Sequence, residues 1–211
     1  EAEALEKISE LLPPEPSCLQ RLASLYFRNA NPEKGLEALE RKAILLEELG
    51  NPEEAARTVD QMLEHAPQRA DFLRKRIFLA RALNDSTALL HRSRQYYFLL
   101  YERGGTEEAL AVGEEICREF GDPLDVLESL TLLYLKAGQI PKGLTTGKRL
   151  VPALLRAGLL QKAQVLLVQL VQLAPRDCDL LVLSADGYEL SGSREASLAC
   201  LSKAMRIHQE K

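Results

Sequence analysis

Residues that carry chemistry are scarce in this chain. Of 211 residues only three are histidine and four are cysteine. His65, His91 and His208 stand at no metal-ligand spacing from one another or from a cysteine, and Cys18, Cys117, Cys178 and Cys200 include no C-x-x-C pair. No phosphate-cradling glycine loop and no nucleophile motif occurs. These absences argue against an enzyme and give no reason to expect a cofactor or a metal. No apolar run approaches a bilayer span and nothing resembles a secretory leader, so direct membrane insertion is not expected. A helical core of this size needs no disulfide staples, and the cysteines are expected as reduced, buried side chains in a cytoplasmic protein. The chain opens on Glu1 rather than Met, which suggests either processing or a domain cut from a longer protein and leaves room for a signal or anchor that was removed.

Valine, isoleucine and threonine are few beside leucine and alanine, which disfavours a sheet. What is present is 46% apolar and 27% charged residues, enough for a globular core. The net charge of −4 is too mild for a nucleic-acid partner. It is unevenly spread: −7 over residues 1–68, +5 over 69–101, −6 over 102–139 and +4 over 140–211.

Proline, glycine and asparagine punctuate the chain regularly, at Pro13-Pro14, Asn31-Pro32, Gly50-Asn51-Pro52, Pro67, Asn84-Asp85, Gly104-Gly105, Gly121-Asp122-Pro123, Gly138, Gly158, Pro175 and Gly192. Between these marks apolar residues recur at spacings of three and four, as in Leu36, Leu39, Ala43 and Leu46. The pattern predicts about eleven helices, at 17–32, 33–49, 52–66, 69–83, 86–103, 106–120, 124–137, 140–157, 159–173, 177–191 and 194–208. A twelfth is predicted at 2–12, within an N-terminal helix or linker covering 1–15, and Pro152 is expected to kink or break the helix that contains it.

Residues 18–69 align without a gap on 126–177, a shift of 108 with 14 identities, among them Tyr26 with Tyr134, Gly35 with Gly143, Gly50 with Gly158 and Pro67 with Pro175. A shift of 54 gives 10 identities against 72–123. If antiparallel helices alternate between two layers, a shift of three helices swaps layers, whereas six restores them. The stronger match at 108 therefore favours two-helix layers.

Gly50, Ala55 and Pro67, with Gly158, Ala163 and Pro175 at the same relative spacings, resemble the tetratricopeptide repeat (TPR). Gly104 with Ala109, Gly138 with Gly143, and Gly192 with Ala196 are partial versions. Met62 and Leu170 depart from the pattern, standing where the family favours a small residue. The resemblance covers residues 16–208 and implies an all-α, right-handed α-α solenoid, with 16–211 as a single TPR-like domain. It implies a non-enzymatic scaffold or adaptor that holds a protein or peptide in a superhelical groove. A ligand-sensing regulatory domain of a larger protein is the alternative.

The candidate binding residues lie in the positive belt. Residues 69–101 hold seven basic side chains and six of the eleven aromatics, the composition of a recognition surface. Carrying the TPR register over from Gly50, Ala55 and Pro67 places Asp71, Arg74, Phe78 and Arg81 in the groove, with Glu37, Glu40, Ile44 and Glu47 in the preceding repeat. The register set by Gly192 adds Asp179, Val182, Asp186 and Glu189, and the register set by Gly104 selects His91, Arg94, Phe98 and Tyr101 instead, on a helix that strict alternation sends to the outer layer. The expected partner carries an acidic segment; the oligomeric state is left open.

Overall fold

Proline, glycine or a capping side chain stands at many of the helix ends. A computed structural model describes residues 15–210; the helix expected at 2–12 lies outside them. Among the described residues there are eleven helices and no strand: α1 Pro16–Arg28, α2 Pro32–Glu48, α3 Pro52–His65, α4 Ala70–Ala82, α5 Ser86–Glu102, α6 Thr106–Phe120, α7 Leu124–Lys136, α8 Ile140–Arg156, α9 Leu160–Leu173, α10 Cys178–Leu190 and α11 Arg194–Gln209. The chain divides into two compact units, residues 1–104 and 105–211. Gly104, at φ 75°, closes α5, and Gly105 is the N-cap of α6. Consecutive helices pack as antiparallel hairpins, α1 to α5 in the first unit and α6 to α11 in the second.

Helix starts and turn geometry recur every 54 residues. Ala30, Asn84, Gly138 and Gly192 occupy the left-handed region after α1, α4, α7 and α10, and Gly50, Gly104 and Gly158 do so after α2, α5 and α8. In turns of this kind the N–H two residues past the C-cap reaches back to the last turn, as Asn31 does to the Tyr26 carbonyl (2.9 Å) and Gln139 to that of Tyr134 (2.9 Å), the Schellman arrangement. Asn31, Asn51, Asp85 and Asp177 then cap the next helix through side-chain oxygens. Ala30 is the misfit in this set, because its Cβ crowds the carbonyl at φ 53° where two of its equivalents are glycine. Ala30→Gly is expected to stabilise the protein by about 0.5–1 kcal/mol, read as a small rise in melting temperature; a fall would mean that the turn is not strained.

The packing around the buried tyrosines, in contrast, recurs at 108. Tyr26 and Tyr134 are both buried, with the ammonium of Lys34 5.3 Å above one ring and that of Lys142 5.2 Å above the other. A Cβ on Gly35 would meet the Phe27 ring at 2.8 Å, and one on Gly143 would run into the Leu135 side chain, again equivalent pairs. Ala55, Ala109 and Ala163 are completely buried, which lets the paired helices approach closely.

Within each unit, alternate helices are tied side by side by ion pairs. Lys75 of α4 meets Glu47 of α2 at 2.8 Å, and Arg92 of α5 meets Asp60 of α3 at 2.8 Å. In the second unit Lys142 of α8 meets Glu114 of α6 (3.0 Å), Lys162 of α9 meets Glu128 of α7 (3.1 Å), and Lys148 of α8 reaches Asp179 of α10 (2.7 Å) and its N-cap Asp177 (2.8 Å). Helices that are second neighbours in sequence are thus lateral neighbours in one layer, the two-layer arrangement expected from the 108-residue match.

Two local expectations are corrected. Pro152 does not break α8, which runs through to Arg156. The proline removes one N–H near the end of the helix, and the bonds of the Ala157 N–H to Ala153 and of Leu159 to Leu154 complete the last turn. Helix α1 stops at Arg28 rather than 32, because Asn29, Ala30 and Asn31 form the turn.

Candidate functional site

The positive belt is mostly spent within the fold. Arg69 is bonded to Asp71 (2.6 Å), Lys75 to Glu47, and Arg76 and Arg92 both to the single carboxylate of Asp60, Arg76 through Nε at 3.0 Å to each oxygen. The Asp60 cluster clasps α3, α4 and α5 together, and Arg76 is only 7% exposed. Of the six aromatics, Phe72, Tyr96 and Tyr97 are core, and Tyr97 meets Phe98 edge to face at 5.1 Å.

The stripe read from the proline-closed register lies on the surface. Asp71, Arg74, Phe78 and Arg81 are all exposed along one side of α4, and Phe78 keeps 64% of its surface in contact with water. Arg74 is held in place from α5: its Nε donates to the Tyr96 hydroxyl at 2.5 Å and its guanidinium stands 5.2 Å from the Tyr96 ring centre. The laterally adjacent α2 presents Glu37 and Glu40, with Ile44 46% exposed, so an acidic strip borders a basic one with an apolar residue in each. In the second unit Asp179, Val182, Asp186 and Glu189 are likewise exposed on α10.

The competing stripe on α5 is less accessible. Only His91 is exposed; Arg94, Phe98 and Tyr101 are half-buried, and Tyr101 packs towards Tyr97 with ring centres 6.3 Å apart. His91, Arg94 and Phe98 do line a cleft of about 450 Å³ with Pro67, Gln95 and Glu102. Tyr101 does not line it.

A cleft of about 460 Å³ in the second unit is walled by Glu114, Arg118, Tyr134, Lys142 and Arg149. Its charges are largely paired: Glu114 accepts from the Tyr134 hydroxyl and from Lys142, and Arg149 forks Asp122. The bond from Tyr134, then that from Lys142, holds the Glu114 carboxyl below its ordinary value of 4.5. Its contribution to stability is therefore present above that value and lost as the pH falls through the lowered one. The wall also contains Cys117, whose thiol is pushed up to about 11 by burial and by neighbouring Asp122. All four cysteines are free thiols. At pH 8 Cys117 is expected to be alkylated at least tenfold more slowly than Cys18, Cys178 or Cys200, as followed by mass spectrometry of native protein. Equal rates would show that the site opens readily.

Among the described residues no group of three or more His, Cys, Asp or Glu is placed to hold a metal, and no helix is long and apolar enough to cross a membrane.

No family model matches the sequence, and no curated protein matches it either. Solved structures similar to it include a putative kinesin light chain of Podospora anserina with nearly identical TPR-like repeats (17% identity, covering 94% of this chain and 98% of that one, TM-score 0.38). YrrB, described as a TPR protein with an unusual peptide-binding site, is also 17% identical (98% and 93% covered, TM-score 0.29), and MamA from Desulfovibrio magneticus RS-1 is 16% identical (83% and 96% covered, TM-score 0.27). The chain is a two-layered array of antiparallel helical hairpins whose Gly, Ala and Pro positions resemble those of the TPR. That reading stands on its own hairpins, on the Gly, Ala and Pro positions that close them, and on the alternating layers.

Asp60 gives no signal in the sequence. Its partners lie 16 and 32 residues further along, on two other helices, and no sequence motif links them. The stretch from Ala163 to Ala174 in and after α9 carries no charge, and nothing in the sequence separates its exposed Val165 and Val168 from its buried Leu166, Leu167 and Leu170.

Proposed function

We propose that the chain is a protein-interaction scaffold that holds a partner segment across the α2–α4 face, with acidic groups of the partner on Arg74 and Arg81 and an apolar side chain on Phe78. The observation that carries this reading is Phe78, a large ring left in water between two arginines on one helical stripe. A solvated ring is normal in isolation, but one flanked by guanidinium groups has the make-up of an interface anchor. The Tyr96 bond adds to this, because an arginine already held in place loses less freedom when a carboxylate arrives. The pairing of Glu114 and Arg149 within the fold argues for this reading over a small-molecule sensor built on the second-unit cleft.

The test compares proteins captured by the wild type with those captured by Arg74→Glu/Arg81→Glu, followed by titration of the enriched partner's acidic segment as a peptide. Each arginine is expected to contribute about 1–3 kcal/mol if its pair is desolvated, so the double reversal should weaken peptide binding by about 30-fold or more with helical content and melting temperature unchanged. Undiminished binding in that variant, with loss on Arg94→Glu, would move the site to the α5 cleft.

A further inference from the structure

The second unit carries a surface of a different kind, on α9. Along its outer side Gln161, Val165, Val168 and Gln172 follow one another at helical spacing and are all exposed, with Val165 at 63% and Val168 at 50%. The ridge they form has an apolar cleft on either side. One, of about 350 Å³, lies between α7 and α9 over α8 and is lined by Leu132, Leu150, Leu154, Val165 and Leu166. The other, of about 200 Å³, adjoins α10 and α11 and is lined by Leu167, Val168, Val171, Leu181 and Tyr188. The charged residues lining these clefts are Glu128 and Lys162, and they are bonded to each other.

We infer that this face is a self-association surface, on which α9 of one copy lies in the cleft beside α9 of a second copy and the reverse contact is made by symmetry. Three features select a second copy over an unlike partner. A two-fold interface sets residue i of one copy against residue j of the other and repeats the pair, so the patch must be complementary to itself; here the charges lining the clefts, Glu128 and Lys162, neutralise each other and leave none that requires an oppositely charged partner. Glutamine both donates and accepts, so Gln161, Gln169 and Gln172 can pair with their counterparts. A convex ridge beside a groove is complementary to itself after a two-fold rotation, and a ridge alone or a groove alone is not. The area is adequate: a 14-residue helix is about 21 Å long, and with its two flanking helices presents roughly 600 Å² per copy, near the lower end of stable dimer interfaces.

Sedimentation equilibrium of the full 211-residue chain from 2 to 300 µM tests the inference. The wild type is expected to pass from 23.5 kDa to twice that mass with a dissociation constant in the micromolar range. Val165→Glu/Val168→Glu, which places four carboxylates across the two-fold, should raise that constant at least 100-fold with an unchanged helical spectrum; Val165→Ala should weaken it less. Arg74→Glu/Arg81→Glu should leave it unaltered, which separates this surface from the one on α4. A wild type that stays at 23.5 kDa throughout overturns the inference, as does a dimer that survives the double glutamate variant or is lost with the α4 arginines.

Discussion

Asp60→Ala is expected to lower stability by about 2–4 kcal/mol, a drop in melting temperature on the order of 5–15 °C. The size follows from what the carboxylate leaves behind. Arg76 is buried between α3 and α4 and cannot retreat to water, and its Nη1 has no hydrogen-bond partner even in the intact protein. Removing Asp60 therefore strands a guanidinium whose desolvation nothing offsets, and frees Arg92 as well. Asp60 is itself about a third exposed, which keeps the figure below that of a fully buried pair. Arg92→Met should cost much less, because Arg92 is more accessible and leaves Asp60 with Arg76. The pair replacement Asp60→Leu/Arg76→Met should recover most of the loss, since it removes both charges and the orphan donor. Thermal and urea unfolding followed by circular dichroism measure all four proteins. If Asp60→Ala melts within 2 °C of the wild type, the three-helix clasp is not a principal tie of the first unit.

Gly147→Leu is expected to destabilise the second unit by about 1–3 kcal/mol through overpacking. A Cβ at this position would already lie 2.6 Å from Leu170 Cδ1, and Leu170 is wholly buried with nowhere to turn. Replacing a helical glycine ordinarily gains up to about 1 kcal/mol, so the contact with Leu170 sets the sign. In the first unit the equivalent positions hold Leu39 and Met62, both fully buried, so that hairpin seats a side chain for which α8 and α9 have no room. Leu170→Ala alone opens a cavity and costs about 2–5 kcal/mol. The double variant should be less damaged than the sum of the singles by about 1–2 kcal/mol, because each change makes room for the other. Strict additivity would mean that the two side chains do not compete for one space.

These residues also show what could be read from sequence. Helix limits were legible because proline, glycine and asparagine mark them chemically; predicted and observed spans agree to within a residue or so wherever such a residue stands at the end. They fail at Ala30, where an alanine does the work of a glycine and gives no signal. The departure of Leu170 from the family pattern was visible, but not that Gly147, 23 positions earlier, compensates for it. For the proposed binding face, periodicity placed Arg74, Phe78 and Arg81 on one side of a helix, and they lie there together. It could not tell a solvated arginine from Arg76 or Arg92, whose roles depend on a carboxylate brought close only by packing α3 against α4 and α5.

The lateral ion pairs have a mechanical consequence. Hairpins are joined by leucine and alanine packing, which salt barely affects, whereas same-layer neighbours are linked by partly exposed pairs such as Lys75–Glu47, Lys142–Glu114 and Lys162–Glu128. Links of this kind weaken as mobile ions screen them, over about 10 Å at 0.1 M and about 3 Å at 1 M. Higher ionic strength is therefore expected to loosen these lateral links while leaving the packing of consecutive helices in place, so that each unit becomes more pliable without losing its hairpins.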